Sequence, residues 1–351
     1  MDGCRDFLLA PRWATVDDQA PDVAFPGEHL LDIEHLPAPE ILRILDRARA
    51  IRQQLTEPSS PSAASEERRR PLLGISVVTV FYEASTRTRV SFEIAAQKLG
   101  ASIVSISASS SSVSKGESLW DTGRTLAAMD PGVIVCRHPS AGAPYLLARG
   151  VESVGLARVI NAGDGAHEHP TQALLDALTL LDRLDDLTGR TVAIVGDIAH
   201  SRVARSNLFL LRKLGARVLL GGPRSLLPKS LEDLGGTIVR DVDELVAAAD
   251  AVMMLRVQFE RLEGPPPFPS LADYTRTYGL TVERARRMKS GAFVMHPGPM
   301  NRGIEIAAEV ADGPTSVVAH QVRNGIAARM AVLERAVGAG FGQETPLEAK
   351  A

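Results

Sequence analysis

From Ile75 onward the chain alternates short, continuous apolar runs with amphipathic segments, and that alternation leaves few architectures open. The runs are ISVVTVFY, ASIVSIS, GVIVC, ARVIN, TVAIVG, ARVLLGG, TIVR, DAVMML and GAFVMH. Segments such as TQALLDALTLLDRL and RVARSNLFLLRKLG separate them, with apolar residues at helical spacing. A strand that is apolar at every position has both faces buried, and an intervening helix lets the next strand pair in parallel. Nine such runs suit two sheets rather than one. The predicted fold class is α/β, with two doubly wound parallel-sheet domains and the active site in the cleft between them.

The 351 residues are enough for two domains of ordinary size. Residues 1–27 are rich in Asp, Pro and Gly without a period, and are expected to be an N-terminal extension. A first amphipathic helix is expected from near Pro39, followed by the polar connection TEPSSPSAASEERRRP. The first domain is expected over residues 28–169 and the second over 170–319. A last helix, about 320–337 within the final segment 320–351, is expected to return to the first domain.

In open parallel sheets ligands bind beyond the carboxyl ends of the strands. The unusual residues of this chain collect there, in STRTR, RHP, NAGDGAHEHPTQ, GDIAHSR, RVQFER and HPGPMNRG. The densest stretch is FYEASTRTRVSFEIAAQKLG, residues 81–100. Phe92, Ala95, Ala96 and Leu99 mark a helix that Gly100 closes. Its N-terminus offers unpaired N–H groups and the positive end of the dipole. Three hydroxyls and two guanidiniums at that point make an oxyanion site suited to phosphate. Ordinary capping needs one hydroxyl. A P-loop is absent, and VGDIAHSR lacks the glycines of a dinucleotide fingerprint.

Composition narrows the remaining classes. With 39 Lys and Arg against 42 Asp and Glu, the net charge of −3 gives no footing for nucleic-acid binding. The two cysteines, Cys4 and Cys136, have no metal-type spacing and point to a reducing compartment. The run FLLA is too short for a signal-peptide core and no stretch reaches membrane-spanning length. A cytoplasmic protein that engages neither membrane nor nucleic acid is expected. His167 and His169 are spaced like a metal pair, but no further Cys, His or carboxylate cluster joins them, so no metal is expected. His138 and His200 read as structural or peripheral.

STRTR, SKGESLWDT, RHP, HPTQ, RVQFER and HPGP occur in the order found in the aspartate/ornithine carbamoyltransferase family, which the chain resembles from about residue 28. In that family carbamoyl phosphate binds first, and an amino acid's amino group then attacks its carbonyl carbon without metal or organic cofactor. The resemblance implies that Ser85, Thr86, Arg87 and Thr88 hold the phosphate. Arg137 would bridge phosphate and carbonyl oxygen, with His169 and Thr88 also donating to that oxygen. Gln172 and the backbone carbonyls of Pro297 and Gly298 would accept from the carbamoyl NH₂. The low-complexity loop SISASSSSVSKGESLW would reach a neighbouring subunit's site through Ser111 and Lys115, which implies a homotrimer with shared active sites.

The choice of amine follows from charge. Ornithine needs an acidic partner and the HCLP motif typical of its enzymes, whereas this loop reads HPGP. Aspartate needs two cations, preferably arginines. The resemblance gives the α-carboxylate to Arg202 and the β-carboxylate to Arg256 with Lys115, while Gln258 orients Arg256 or the substrate. The expected reaction therefore carbamoylates L-aspartate, an early step of de novo pyrimidine synthesis. A carbamoyltransferase for another amine would keep STRTR, Arg137 and His169 but change Arg202 or Arg256. A non-catalytic scaffold would have lost some of these groups. Ala84 stands where the family usually has proline, and HPGPMNRGIEI resembles the form in enzymes that assemble with dihydroorotase or an inactive relative. Arg302 and Glu305 are alternatively expected in salt links within that loop.

Overall fold

The structure is a computed structural model and describes residues 28–56, 70–107, 116–258 and 268–339. All nine predicted strands form, in two wholly parallel sheets. Strands β1 (Ser76–Phe81), β2 (Ser102–Ser107), β3 (Val133–His138) and β4 (Arg158–Asp164) lie in the order β2-β1-β3-β4. Strands β5 (Thr191–Val195), β6 (Arg217–Gly221), β7 (Gly236–Ile238), β8 (Ala251–Met254) and β9 (Phe293–Met295) lie in the order β7-β6-β5-β8-β9. The order reverses between β1 and β3 in one sheet and between β5 and β8 in the other. These are the switch points at which crossovers leave a crevice.

The continuous apolar strands are explained by burial on both faces. Val77 and Phe81 of β1 and Val133 and Val135 of β3 enter the largest core, whereas Val78, Val80, Ile134 and Cys136 point to the opposite layer. That second layer is closed by the helices Leu119–Ala127 and Ala143–Glu152. The largest core continues through the helices Ala38–Thr56, Thr86–Lys98, Pro170–Leu184 and Val318–Ala336 into the Arg202–Lys213 helix of the second sheet. The helix Val318–Ala336 packs on Ala38–Thr56, Thr86–Lys98 and Pro170–Leu184. Arg47 fastens it with a two-pronged ion pair to Glu334 at 2.5 and 2.9 Å. Phe92, fully buried, anchors the helix that follows β1, a burial worth about 1.5–3 kcal/mol.

Candidate active site

Three helices begin at the carboxyl ends of strands around one cleft: Thr86–Lys98 after β1, Pro170–Leu184 after β4 and Arg202–Lys213 after β5. Each N-terminus brings unpaired N–H groups and positive potential to that cleft. The cavity measures about 970 Å³, at the upper end of the roughly 300–1,000 Å³ usual for ligand pockets.

Ser85 occupies the N-cap position of the first helix in extended conformation, yet its hydroxyl makes no capping hydrogen bond. It lines the cleft with Thr86, Arg87 and the buried Thr88. Burial, and after it the neighbouring Arg256 guanidinium, pull Arg87 below the ordinary arginine range. Two cations pressed together across a cleft are what an anion would relieve. Gly298, in the loop after β9, comes so close that a Cβ there would lie 3.0 Å from the Arg87 guanidinium carbon, and its φ of +67° suits glycine.

Arg137 is aimed by an irregularity in the β3–β4 register between Cys136 and His138. Its guanidinium donates to Ala162 O at 3.1 Å and to Glu83 Oε1 at 2.6 Å. Arg202 reaches the same carboxylate from the second sheet, donating to Glu83 Oε2 at 3.1 Å and, through Nη2, to Oε1. Burial works to raise the Glu83 carboxyl, but Arg202 and Arg137 outweigh it and hold the group below its ordinary value. Glu83 thus links the two sheets across the cleft. Gly163 makes room for both guanidiniums: a Cβ there would sit 2.9 Å from Arg137 Nη1 and 3.1 Å from Arg202 Nε. Its φ of +115° also excludes other residues without strain. Gly163→Ala should therefore cost about 1–3 kcal/mol in stability and, by displacing both arginines, on the order of tenfold in kcat. Thermal melting and steady-state kinetics check this; unchanged kinetics would mean that the guanidinium positions do not matter.

His169 precedes the Pro170 helix and is 4 % exposed. Burial first, then Arg137, Arg329 and Arg202, push its imidazole well below the ordinary range, so it is neutral near pH 7. Its Nδ1 has no partner among the described residues, and its backbone N–H donates to Ser206 Oγ at 2.8 Å. Ser206 in turn donates to Glu168 at 2.9 Å, so the Arg202 helix is bonded to the turn that carries His169. A neutral imidazole keeps one N–H, which can donate to a developing oxyanion. Cys136, beside Arg137, is no nucleophile, because burial pushes its thiol up to about 12.

On the second sheet, Arg256 and Gln258 follow β8 and line the cleft. Asp197, fully buried after β5, accepts from His200 Nδ1 at 2.8 Å and from the Gln258 N–H at 3.1 Å. Gln258 Nε2 donates to His200 O at 3.0 Å. Gln258 thereby braces the GDIAHSR turn. Gln172 and Pro297 complete the wall. Every described residue assigned by resemblance lines this one cleft, while Ser111 and Lys115 lie outside the described residues.

Sequence reasoning passed over Glu83, Gly163 and Arg329. Glu83 stood inside FYEASTRTR as the lone carboxylate among donors, a signal that was there to be read. Gly163 could not be told from the neighbouring Gly165. Arg329 enters from the Val318–Ala336 helix and was invisible without tertiary packing: it is buried, lies over the Phe92 ring at 5.3 Å, and is pulled by burial down to about 10. The buried Glu305 pairs with His296 at 3.1 Å within its loop, whereas Arg302 reaches past the loop to an exposed two-pronged pair with Asp312, at the end of the helix Ala308–Ala311, at 2.6 and 2.8 Å. Among the described residues no cluster of three or more His, Cys, Asp or Glu could hold a metal, and no helix is long and apolar enough to cross a membrane.

Residues 28–182 match the carbamoyl-phosphate-binding domain of the aspartate/ornithine carbamoyltransferases, and residues 188–336 match their aspartate/ornithine-binding domain. The chain belongs to the aspartate/ornithine carbamoyltransferase family. It is 51% identical over 311 residues to the aspartate carbamoyltransferase catalytic subunit of Syntrophotalea carbinolica, covering 89% of this chain and 96% of that one. The corresponding subunit of Solibacter usitatus is 53% identical, with 88% and 99% covered. Among solved structures, Trypanosoma cruzi aspartate transcarbamoylase with carbamoyl phosphate and aspartate superposes with a TM-score of 0.76 at 32% identity, covering 90% and 97%. Pyrococcus furiosus ornithine carbamoyltransferase superposes with a TM-score of 0.75 at 27% identity, covering 89% and 97%. The carbamoyltransferase fold thus serves either amine nearly equally well, and the residues of the cleft must decide between them.

Proposed function

We propose that the chain is an aspartate carbamoyltransferase, moving the carbamoyl group of carbamoyl phosphate to the amino group of L-aspartate and releasing phosphate. The observation that carries this reading is that Arg202 and Arg256 line the same cleft as the Ser85–Thr88 cradle, Arg137 and His169. The curated relatives at about half identity bear the same activity in their names.

In this reading the phosphate of carbamoyl phosphate sits on the N-terminus of the Thr86 helix, held by Ser85, Thr86, Arg87 and Thr88. Arg137, His169 and Thr88 donate to the carbonyl oxygen. The unprotonated amine attacks the carbonyl carbon, the new C–N bond forms, the C–O bond to phosphate breaks and one amine proton is released. Negative charge grows on the carbonyl oxygen during attack, where fixed donors are worth about 10²–10³ each in rate. No side chain need become covalently attached, so orientation of the two substrates supplies much of the rest, of order 7–11 kcal/mol in favourable cases. Arg202 takes the α-carboxylate and Arg256 the β-carboxylate. Glu83 holds Arg202 and Arg137 in this structure, so substrate carboxylate and phosphate compete with it for them. Closing of the cleft would then expel water and strengthen every charged contact.

A homotrimer completes the site in this reading. β2 is an edge strand with Val104 half exposed, and it runs into the segment that carries Ser111 and Lys115. A partner of the dihydroorotase type rests on the resemblance of HPGPMNRGIEI alone.

The test is carbamoylation of L-aspartate and L-ornithine side by side, with purified protein and carbamoyl phosphate, with and without a dihydroorotase-like protein. Turnover with aspartate is expected. Turnover with ornithine only would overturn the assignment of Arg202 and Arg256. Silence with both amines in an assembled trimer would leave the scaffold reading.

A further inference from the structure

Gln172 and Asp176 stand one turn apart on the Pro170–Leu184 helix, and Gln172 Nε2 donates to Asp176 Oδ1 at 3.0 Å. Two more amides converge on the same carboxylate. Gln321 Nε2, from the Val318–Ala336 helix, donates to Oδ1 at 2.8 Å, and Asn207 Nδ2, from the Arg202–Lys213 helix, donates to Oδ2 at 2.9 Å. Asp176 and Asn207 are fully buried, and Gln321 is 2 % exposed. Burial pushes the Asp176 carboxyl up against the pull of these donors and of Arg329, and three amide donors on its two oxygens are the surroundings of an ionised carboxylate.

An ionised carboxylate only accepts hydrogen bonds, so any amide that faces it must present its NH₂. That chemistry, rather than the shape of the side chain, fixes which end of each amide is which. With its NH₂ spent on Asp176, Gln172 has its carbonyl oxygen Oε1 turned the other way, on a residue that lines the cleft. Gln321 is fixed in the same sense. Its NH₂ faces Asp176 and its Oε1 accepts the His296 N–H at 2.9 Å, at the start of the loop that carries Pro297 and Gly298. His296 Nδ1 then accepts the Gly298 N–H at 2.8 Å.

We propose that Asp176 is a positioning residue that sets specificity for the carbamoyl NH₂, by holding Gln172 as an acceptor and, through Gln321 and His296, fixing the loop of Pro297 and Gly298. This rests on the carbamoyl-transfer reading above. Were the Gln172 amide turned over, an NH₂ would meet an NH₂. Asp176 touches no substrate, and its effect is read through the group it orients.

The experiment measures, in the full-length protein without aspartate, the dissociation constants of carbamoyl phosphate, acetyl phosphate and inorganic phosphate. Acetyl phosphate carries a methyl in place of the NH₂ and has nothing to donate. The wild type should prefer carbamoyl phosphate. In Asp176→Ala that preference should shrink by about tenfold, the value of one ordinary hydrogen bond, with phosphate affinity unchanged. Asp176→Asn, nearly isosteric and keeping one acceptor oxygen, should fall between. Gln321→Met breaks the second arm while leaving Asp176 in place with its bonds to Gln172 and Asn207, and should also lower the preference should the Asp176 variants fail to fold. A general structural lesion would weaken all three ligands together. An undiminished preference in folded variants overturns the role of Asp176 alone. A wild type that binds neither acyl phosphate takes the carbamoyl-transfer reading down with it.

Discussion

Arg137→Ala should lower kcat by roughly 10²–10³ while leaving the KM for aspartate little changed, because in the proposed reading it removes a fixed donor from the carbonyl oxygen on which charge grows. The structure favours a clean result. Glu83, which Arg137 holds at 2.6 Å, keeps its two hydrogen bonds to Arg202, so the variant leaves no unpaired buried carboxylate. Arg137 also contributes to holding His169 neutral. Its loss relaxes that constraint only in part, since burial is the larger cause and Arg329 and Arg202 remain. Arg137→Lys restores the charge but not the planar fork, and should recover only part of the rate. Steady-state phosphate release at saturating carbamoyl phosphate is the measurement. A kcat within a few-fold of wild type would remove Arg137 from the chemistry.

The second large effect is expected on binding rather than rate. Arg256→Ala should raise the KM for aspartate by about 10- to 150-fold, the equivalent of roughly 1.5–3 kcal/mol for a charged hydrogen bond. The KM for carbamoyl phosphate should stay near its wild-type value. Arg87 loses a repelling neighbour when Arg256 goes, and in the proposed reading its own contact with phosphate stays in place. That contrast separates a lost aspartate contact from general damage to the cleft, which would raise both constants together. Equal losses for both substrates would assign Arg256 to the architecture of the loop, where its own Nη1 lies 3.3 Å from Val257 O, rather than to the substrate.

These two residues also show how legible the site was. Arg137 and Arg256 could be picked out because each directly follows a continuous apolar run, VIVC and AVMML, and chemistry in parallel sheets collects at strand ends. The STRTR cluster was legible for the same reason, and its excess of donors over the needs of capping separated it from a surface turn. The Asp176 cluster was not legible. Gln172 and Asp176 have the spacing of a helical pair, but Gln321 is nearly 150 residues away, and no local pattern announces that three amides face one carboxylate. Glu83 was visible in its motif, yet its two partners stand on different sheets.

The amino-acid sequence by itself determined the parallel α/β class, the nine strands and the strand ends at which the cleft residues stand, because each depends on local pattern: runs of apolar side chains, helical spacing, and polar turns between them. Only the tertiary structure decided the strand order. Parallel crossovers can insert a strand on either side of its predecessor, and that choice puts the turns after β1 and β3, and after β5 and β8, at the two switch points. Tertiary structure alone also decided the contacts that orient the site, the Glu83 link between Arg137 and Arg202 and the convergence on Asp176. The physical reason is the same in each case. A hydrogen bond between distant residues depends on where whole helices and sheets pack, and packing is set by the sum of many weak contacts rather than by any one stretch of chain.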